Sequence, residues 1–551
     1  MADKQSIETE KTDKEAFDID LPDAALIAQI DSWLLESQDF YSILKDVWEQ
    51  NLNYYHGNQT QLDTIRGKES RAVENRVWMG TETMVPIATS RLPDIEVRSG
   101  SEDEQDQIDA DDLKDILAYH KERTGFQSDA ERFLRNLILL RYGVFKKFWD
   151  KEKDDVGRQV IDPRRIRIPK YGRNVDELAF VIEYLELSYQ QLVLYFGKEK
   201  ADKVLENKPK QEEENTKKRK STFSILEVWT NEFVAWRAGE IILDKKKNPL
   251  FDFKDSKNNF FDMAKKPYII KSAFETDESI IGDTDYVQAT ISIQDNINIR
   301  KRQAENIINK VANPDLLIDS DSMSEEQVAN ITNEPGQILY GKNAKESITY
   351  ISPGNVPAYL FTDLETSRAQ FDNIWGIHST TRGEREGKET LGGRQLLRAA
   401  DLGRIDLVAR QLERASDEDS EWDTQLMKMF YTEERAFSIL GEDGNRFIKK
   451  FSRGKIKKGV KPQVVSGSTL PKDEISQRQE AIQLWQLGAI GIRTLYKKLK
   501  LSNIPDAIQD FIETKSGRIL QEGAGGGELG GGVLPPNEEI PAIPPKIEAN
   551  V

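Results

Sequence analysis

The stretch that decides the fold is TDYVQATISIQDNINIRKRQAENIINKV, residues 284–311. It contains neither proline nor glycine, the residues that most often interrupt a helix, so the sequence predicts one long helix here. One side of this helix carries a row at helical spacing that is notably polar for a stripe facing a core: Val287, Ile291, Gln294, Asn298, Arg302 and Glu305.

Downstream of this helix, the pattern predicts a compact unit followed by further helices. Residues 312–352 read as a strand-helix-strand unit, and residues 353–376 as a second helix. A glycine-punctuated segment, 377–393, separates this helix from a long helix that begins at Arg394. The apolar stripe of the long helix consists of Leu397, Ala400, Ile405, Val408 and Leu412.

Upstream and at the ends of the chain, the predictions are more varied. Residues 23–283 combine helical and strand patterns, and the fold class is therefore α+β. Pro86 and Pro93 are expected to break the helix that starts in ENRVWMGTETM. Strands after the long helix, up to residue 470, read as a return to the strand-rich region, and residues 471–515 predict two amphipathic helices. The charged residues 1–22 and the Gly/Pro-rich residues 516–551 are predicted to be disordered.

Composition excludes several classes of function. Acidic residues outnumber basic ones by 95 to 78, a formal charge of -17, so a protein of this kind would repel DNA over most of its surface. The chain has no cysteine and three histidines, which argues against zinc sites and thiol chemistry. It also lacks a phosphate-binding GxxxxGK[ST] loop, so ATP hydrolysis would require a partner. No membrane-spanning run or signal-peptide pattern occurs, and the protein is expected to be soluble and cytosolic when made.

Several short phrases, in this order, resemble the portal proteins of tailed double-stranded DNA bacteriophages. They are YYHGNQ (54–59), ENRVWMGTETMVPIATSRLPDIEV (74–97), RYGVFKKFWD (141–150) and DPRRIRIPKYG (162–172). The order long helix, small α/β unit, helix, glycine-rich loop, long helix also resembles this family. Each phrase is weak alone, and the resemblance, over roughly residues 25–515, rests on their sequence order.

The resemblance implies a portal-like fold with named regions. These are a wing (23–283), a stem helix (284–311), a clip (312–352), a second stem helix (353–376), a tunnel loop (377–393), a long wing helix with returning strands (394–470) and a crown (471–515). It further implies a cyclic ring of about twelve subunits at one capsid vertex of the virion, assembled in the host cytoplasm. The polar stripe of the 284–311 helix is expected to complete its packing against a neighbouring subunit.

The same resemblance implies a non-enzymatic role and a set of partners. The ring would be the channel for packaging and ejection of double-stranded DNA, without cofactor, metal or membrane. Its partners would be the terminase large subunit, the major capsid and scaffolding proteins, and head-completion or adaptor proteins. Another virion structural or connector protein and, less favoured, a nucleic-acid-processing enzyme remain alternatives.

Four groups of residues are candidates for these roles. Arg382, Arg385 and Lys388 alternate with glutamates in the tunnel loop and would make weak contacts with DNA phosphates, although a solvated loop would look the same. Asp363, Glu365 and Asp372 would line the channel or form an ordinary solvated face.

The remaining candidates lie in the stem and the clip. Arg300, Lys301 and Arg302 form a stem cluster that would make salt bridges between subunits or contact DNA. Glu325 and Glu326 of the clip would dock the motor. Asp417 and Asp419 could bind a metal in principle, but no converging ligand set accompanies them.

Overall fold

The structure, a computed structural model, describes part of the chain. The described residues are 22–59, 70–207, 222–276, 278–312, 316–318, 326, 329, 348–350, 357–377, 391–440, 446–457, 459–469, 474–499 and 507–512. The chain divides into two compact units, of which the first comprises residues 1–439 and 448–471 and the second residues 440–447 and 472–551. Each unit is described by itself.

Helices run through both units. In chain order they are α1 (Asp23–Tyr55), α2 (Arg76–Ala88), α3 (Glu104–Arg123), α4 (Phe126–Leu139), α5 (Tyr189–Phe196), α6 (Lys198–Glu206), α7 (Ile291–Ala312), α8 (Ala358–Trp375), α9 (Leu391–Phe430), α10 (Glu474–Gln486) and α11 (Ile492–Lys498). The last two belong to the second unit and pack against each other.

The strands are mostly short. In chain order they are β1 (Ile95–Arg98), β2 (Tyr142–Asp150), β3 (Asp155–Ile161), β4 (Ile166–Arg167), β5 (Val181–Ser188), β6 (Thr222–Trp229), β7 (Phe233–Ala238), β8 (Ile241–Lys247), β9 (Tyr268–Ser272), β10 (Leu316–Ile318), β11 (Ile348–Tyr350), β12 (Arg435–Leu440), β13 (Arg446–Phe451) and β14 (Lys461–Val464).

These strands form small sheets. One has the order β4-β5-β6-β7-β8 and another the order β3-β2-β9, with antiparallel neighbours throughout. β1 pairs with β14, with Ile95 opposite Val464, so the chain after α9 does return to its N-terminal part. Helices and antiparallel sheets in this arrangement agree with the predicted α+β class and are compatible with a portal fold.

Helices cover both faces of the five-stranded sheet. On one face, Val228 and Phe233 pack with Ile30 and Trp33 of α1. On the other, residues of β6 and β8 pack with α5 and α6 around the buried Leu192. Alternate residues of a strand point to opposite faces, so each face of this sheet carries apolar side chains that a helical layer covers.

Helix α9 supplies much of the main core. Ile405, Val408 and Leu412 are buried, as their helical spacing predicted. The side chains of Leu397 and Ala400 lie outside the described residues. Because α9 contacts α2, β2 and β9, it connects the helical and strand-rich parts of the first unit.

The predicted break at Pro86 was wrong, because α2 runs through Pro86 and ends at Ala88. Proline removes one backbone hydrogen bond and is tolerated when packing compensates. Met84, Val85 and Ala88 are fully buried around it. Pro86 therefore lies in the last turn of a helix that the core holds in place.

A buried ionic cluster fixes α9 to the three-stranded sheet. Lys147 Nζ of β2 donates to Asp419 Oδ1 at 2.7 Å and to Asp423 Oδ1 at 2.6 Å. Arg158 of β3 donates to Asp419 Oδ2 at 3.0 Å. Burial alone would raise the pKa of Asp419, but Arg158 and Lys147 hold it well below its usual range. Asp419 is therefore a charged structural group whose two carboxylate oxygens are both occupied.

Candidate functional site: the α7–α8 helix pair

Helices α7 and α8 lie side by side and run antiparallel. Arg300 of α7 pairs with Asp363 of α8 at 2.6 Å. Towards the other end, Arg76 links the pair: its backbone N–H donates to Gln294 and its guanidinium to Asp372. Residue numbers on α8 therefore rise as those of the facing residues on α7 fall, as expected for antiparallel helices. Beyond the Arg300 end of the pair, Leu316 of β10 lies opposite Tyr350 of β11 in an antiparallel ladder.

Helix α8 has well-defined ends. It begins after Pro357, whose carbonyl accepts the first turn's hydrogen bond from Leu360. It ends at Gly376, which has a φ of +68°. A Cβ at Gly376 would lie 2.7 Å from Arg404, so this turn combines left-handed backbone with close approach to α9.

The polar stripe of α7 binds the chain's own segment 70–76. Gln294 and Asn298 are buried, and the backbone N–H of Glu74 donates to Asn298 Oδ1 at 2.9 Å. Gln294 Nε2 in turn donates to the carbonyl of Glu74 at 2.7 Å. At these two positions the expected packing against a neighbouring subunit was wrong. The side chains instead satisfy backbone groups that would otherwise be buried without partners.

Glu74 is the central ion of this contact. Its carboxylate accepts hydrogen bonds from Arg76 Nε at 3.0 Å and from Arg368 Nε of α8 at 2.9 Å, and Lys301 of α7 lies 3.8 Å away. Burial would raise the pKa of Glu74, but Arg368 and Arg76 lower it below its usual value. One acidic side chain thereby joins segment 70–76, α7 and α8.

The predicted basic cluster is engaged within the chain. Arg300 pairs with Asp363, Lys301 approaches Glu74, and Arg302 Nε donates to the carbonyl of Asn298 at 3.1 Å. All three side chains keep part of their surface exposed. Contact with DNA or with another subunit stays a prediction for them.

The three predicted channel acids differ in exposure. The Glu365 side chain is 70% exposed and that of Asp363 45%, although both have arginine partners, Arg368 and Arg300. The side chain of Asp372 is only 12% exposed and accepts a hydrogen bond from Arg76 at 2.6 Å. Asp372 therefore connects elements inside the subunit, and only Asp363 and Glu365 remain candidate channel acids.

Other predicted positions are only partly described. Arg382, Arg385, Lys388 and Glu325 lie outside the described residues, whereas Glu326 is an exposed helical residue. Helix α9 begins at Leu391, so the predicted loop boundary at residue 393 was wrong. Glycine costs about 1 kcal/mol in a helix interior, and two of them are tolerated in this first turn of a 40-residue helix.

Two features of the first unit were not predicted from the sequence: the contacts of segment 70–76 and the partners of two lysines in β2. Lys146 contacts Glu183 and Glu227, both at 2.7 Å, while Lys147 contacts the α9 carboxylates. Two adjacent lysines inside the apolar phrase VFKKFW were the available signal, because a strand buried on both faces must pair both charges. For Glu74 we find no comparable signal in the sequence.

The described part of the chain contains neither a metal-binding cluster nor a membrane-spanning helix. No group of three or more His, Asp or Glu residues there could hold a metal ion. Asp417 accepts a hydrogen bond from the backbone of Val464, and Asp419 is held by Lys147 and Arg158. No described helix is both long enough and apolar enough to cross a membrane.

A family comparison covers this helix pair. Residues 284–479 match the model of the phage P22-like portal protein family. This match supports a phage portal protein. The matched range holds α7, β10, β11, α8 and α9, and so includes the helix pair that carries the predicted basic cluster and the predicted acids. No curated protein matches the chain.

The matched family has general properties of its own. It is a structural, non-enzymatic family, whose members form homo-oligomeric rings with capsid and terminase partners. Portal proteins of this family are components of the capsid vertex of the virion.

Proposed function

We propose that the chain assembles into a ring of about twelve subunits through which the genome enters and leaves the capsid. The observation that supports this most is the antiparallel α7–α8 pair within the matched range, braced at one side by Glu74 and followed by α9. A pair of connected helices, repeated around an axis, is well suited to form the wall of a channel. In this arrangement α7 and α8 are the stem.

The regions around the stem take the roles that the family suggests. Residues 23–283 and 394–470 form the wing, residues 312–352 the clip and residues 471–515 the crown. The clip docks the terminase large subunit during packaging and head-completion proteins afterwards, with Glu325 and Glu326 as candidate contacts. DNA movement is driven by the terminase, so the ring itself needs no catalytic site.

The exposed acids of α8 suit a low-friction channel wall. Glu365 is largely exposed and Asp363 is half-exposed, so copies of both around a ring would keep phosphates away from the wall. The net charge of -17 favours the same repulsion over the rest of the surface. A conduit requires weak contacts, because strong phosphate binding would retard sliding.

The segment between Ile377 and Leu391 is the proposed contact with DNA. It connects the end of α8 to the start of α9, and it carries Arg382, Arg385 and Lys388. Around a ring these residues would give a circle of weak phosphate contacts inside an acidic channel.

Replacing Arg382, Arg385 and Lys388 together with alanine tests this proposal. We expect normal ring size and normal capsid assembly, but less packaged DNA per particle or faster loss of DNA after packaging, because the phosphate contacts are gone. Packaged DNA is measured per capsid, directly after packaging and after storage. The matched control replaces Ser379, Thr380 and Thr381 with alanine in the same segment and leaves its charge unchanged. Equal DNA content and retention in the two triple variants would show that the segment is only a connector.

A further inference from the structure

A groove of about 910 Å³ runs along one side of α1. Leu34, Leu35 and Leu52 of α1 line it, and Arg167 and Tyr184 of the five-stranded sheet form part of the opposite wall. Leu35 is 70% exposed, although it lies within this groove. All residues that line the groove belong to the first unit, and none of them is part of α7 or α8.

The groove combines apolar surface with the cations Lys45, Arg164 and Arg167, of which Arg164 is paired with Asp162. Its own acids are Glu49 and Asp31, and Asp31 is paired with Arg237. The Arg167 guanidinium lies 4.4 Å from the ring centre of Tyr41 and 5.0 Å from that of Tyr184. It donates to the carbonyls of Arg164 and Ile166. Among the described residues no carboxylate forms an ion pair with Arg167 or with Lys45. An occupant with apolar and acidic side chains would therefore fit this surface.

The residues that precede α1 have this composition. Residues 1–21, which lie outside the described part, hold seven acidic and three basic side chains. Near their end, Phe17, Ile19 and Leu21 alternate with Asp18 and Asp20. In extended backbone such alternation places apolar side chains on one side and acids on the other.

The chain is also long enough to reach the groove. An extended chain spans about 3.3 Å per residue, so Ala16 can lie about 20 Å from Pro22. A helix rises about 1.5 Å per residue, so Leu35 also lies about 20 Å beyond Pro22 along α1. Tyr41, beside which Arg167 stacks, lies about 28 Å along the helix, within reach of Asp13 and the acids before it.

We propose that residues 7–21 fold back and dock into the groove along α1 of the same chain. Direct attachment at Pro22 favours the chain's own segment over that of another copy, because a short tether gives an effective concentration in about the millimolar range. Phe17 reaches about the level of Leu34 and covers it, while the acids before Phe17 neutralise Arg167 and Lys45. This docking does not depend on ring formation or on the proposed function.

The absence of cysteine from the chain makes a disulfide test direct. One variant carries Ala16→Cys with Leu35→Cys, which lies in the groove. The matched control carries Ala16→Cys with Glu36→Cys, an exposed residue at the same level of α1 but outside the groove. Both variants are the full chain, and disulfide formation under mild oxidation is followed on non-reducing denaturing gels.

The proposal predicts that the Leu35 pair forms an intrachain disulfide about tenfold faster than the Glu36 pair. Equal rates would overturn it, since an undocked segment reaches both positions alike. Interchain disulfides at Leu35 would also overturn it and would assign the groove to the N-terminal segment of a second copy. Both substituted helix positions are exposed, so a folding defect does not obscure the comparison.

Discussion

Replacing Asp419 with alanine is expected to lower the free energy of unfolding by about 3–5 kcal/mol, because it removes one partner from a buried ion cluster. Asp419 is fully buried and contacts Lys147 at 2.7 Å and Arg158 at 3.0 Å. Without Asp419, Lys147 and Arg158 remain buried, but each loses a hydrogen-bond acceptor. The loss is measured by urea unfolding followed by tryptophan fluorescence.

The adjacent residue gives the matched control for this prediction. Glu418 also forms an ion pair, with Lys271 at 2.7 Å, but its side chain is 39% exposed. Exposed pairs contribute about 0–1 kcal/mol, so Glu418→Ala should change stability by no more than about 1 kcal/mol. A similar loss in both variants would show that the cluster around Asp419 does not hold α9 to the sheet.

Replacing Glu74 with glutamine is expected to cost about 2–3 kcal/mol, since hydrogen bonds to charged groups contribute about 1.5–3 kcal/mol. The substitution removes the charge that faces Arg76 and Arg368 while preserving side-chain size. Faster amide hydrogen exchange in α7 and α8 should accompany the loss, because Glu74 joins both helices to segment 70–76.

Glu365→Gln is the control for Glu74→Gln, because Glu365 pairs with the same Arg368 but is 70% exposed. We expect little change in amide hydrogen exchange from this variant.

The pH dependence of stability gives a second test of the role of Glu74. The pKa of folded Glu74 is lowered, so its stabilisation is complete above the usual glutamate pKa and is lost as the pH falls through the folded value. The difference between wild type and Glu74→Gln should therefore shrink in acid, and a difference that grows there would contradict this account.

Local patterns predicted the elements that depend on local spacing. The helix that ends at Trp375 and the stripe of Ile405, Val408 and Leu412 follow from helical periodicity and glycine placement. The helix predicted at 284–311 is also present, but it begins only at Ile291. The resemblance drawn from their order agrees with the family match over residues 284–479. These features could be predicted because each is determined within a few turns of chain.

Long-range polar contacts could not be predicted in the same way. Lys147 and Asp419 are separated by 272 residues, and Asn298 and Glu74 by 224. A polar stripe shows that a helix meets a polar partner but does not say whether that partner is another subunit or the same chain. For Gln294 and Asn298 the polar partner is Glu74 of the same chain, so these two residues are not part of the expected interface between subunits.

The most direct test of the proposed ring is electron microscopy of the purified full-length protein. Class averages should show a closed ring with a central hole, and native mass spectrometry of the same sample should give one dominant oligomer of about twelve subunits. A protein that remains monomeric at micromolar concentration, with particles lacking a central hole, would contradict the account.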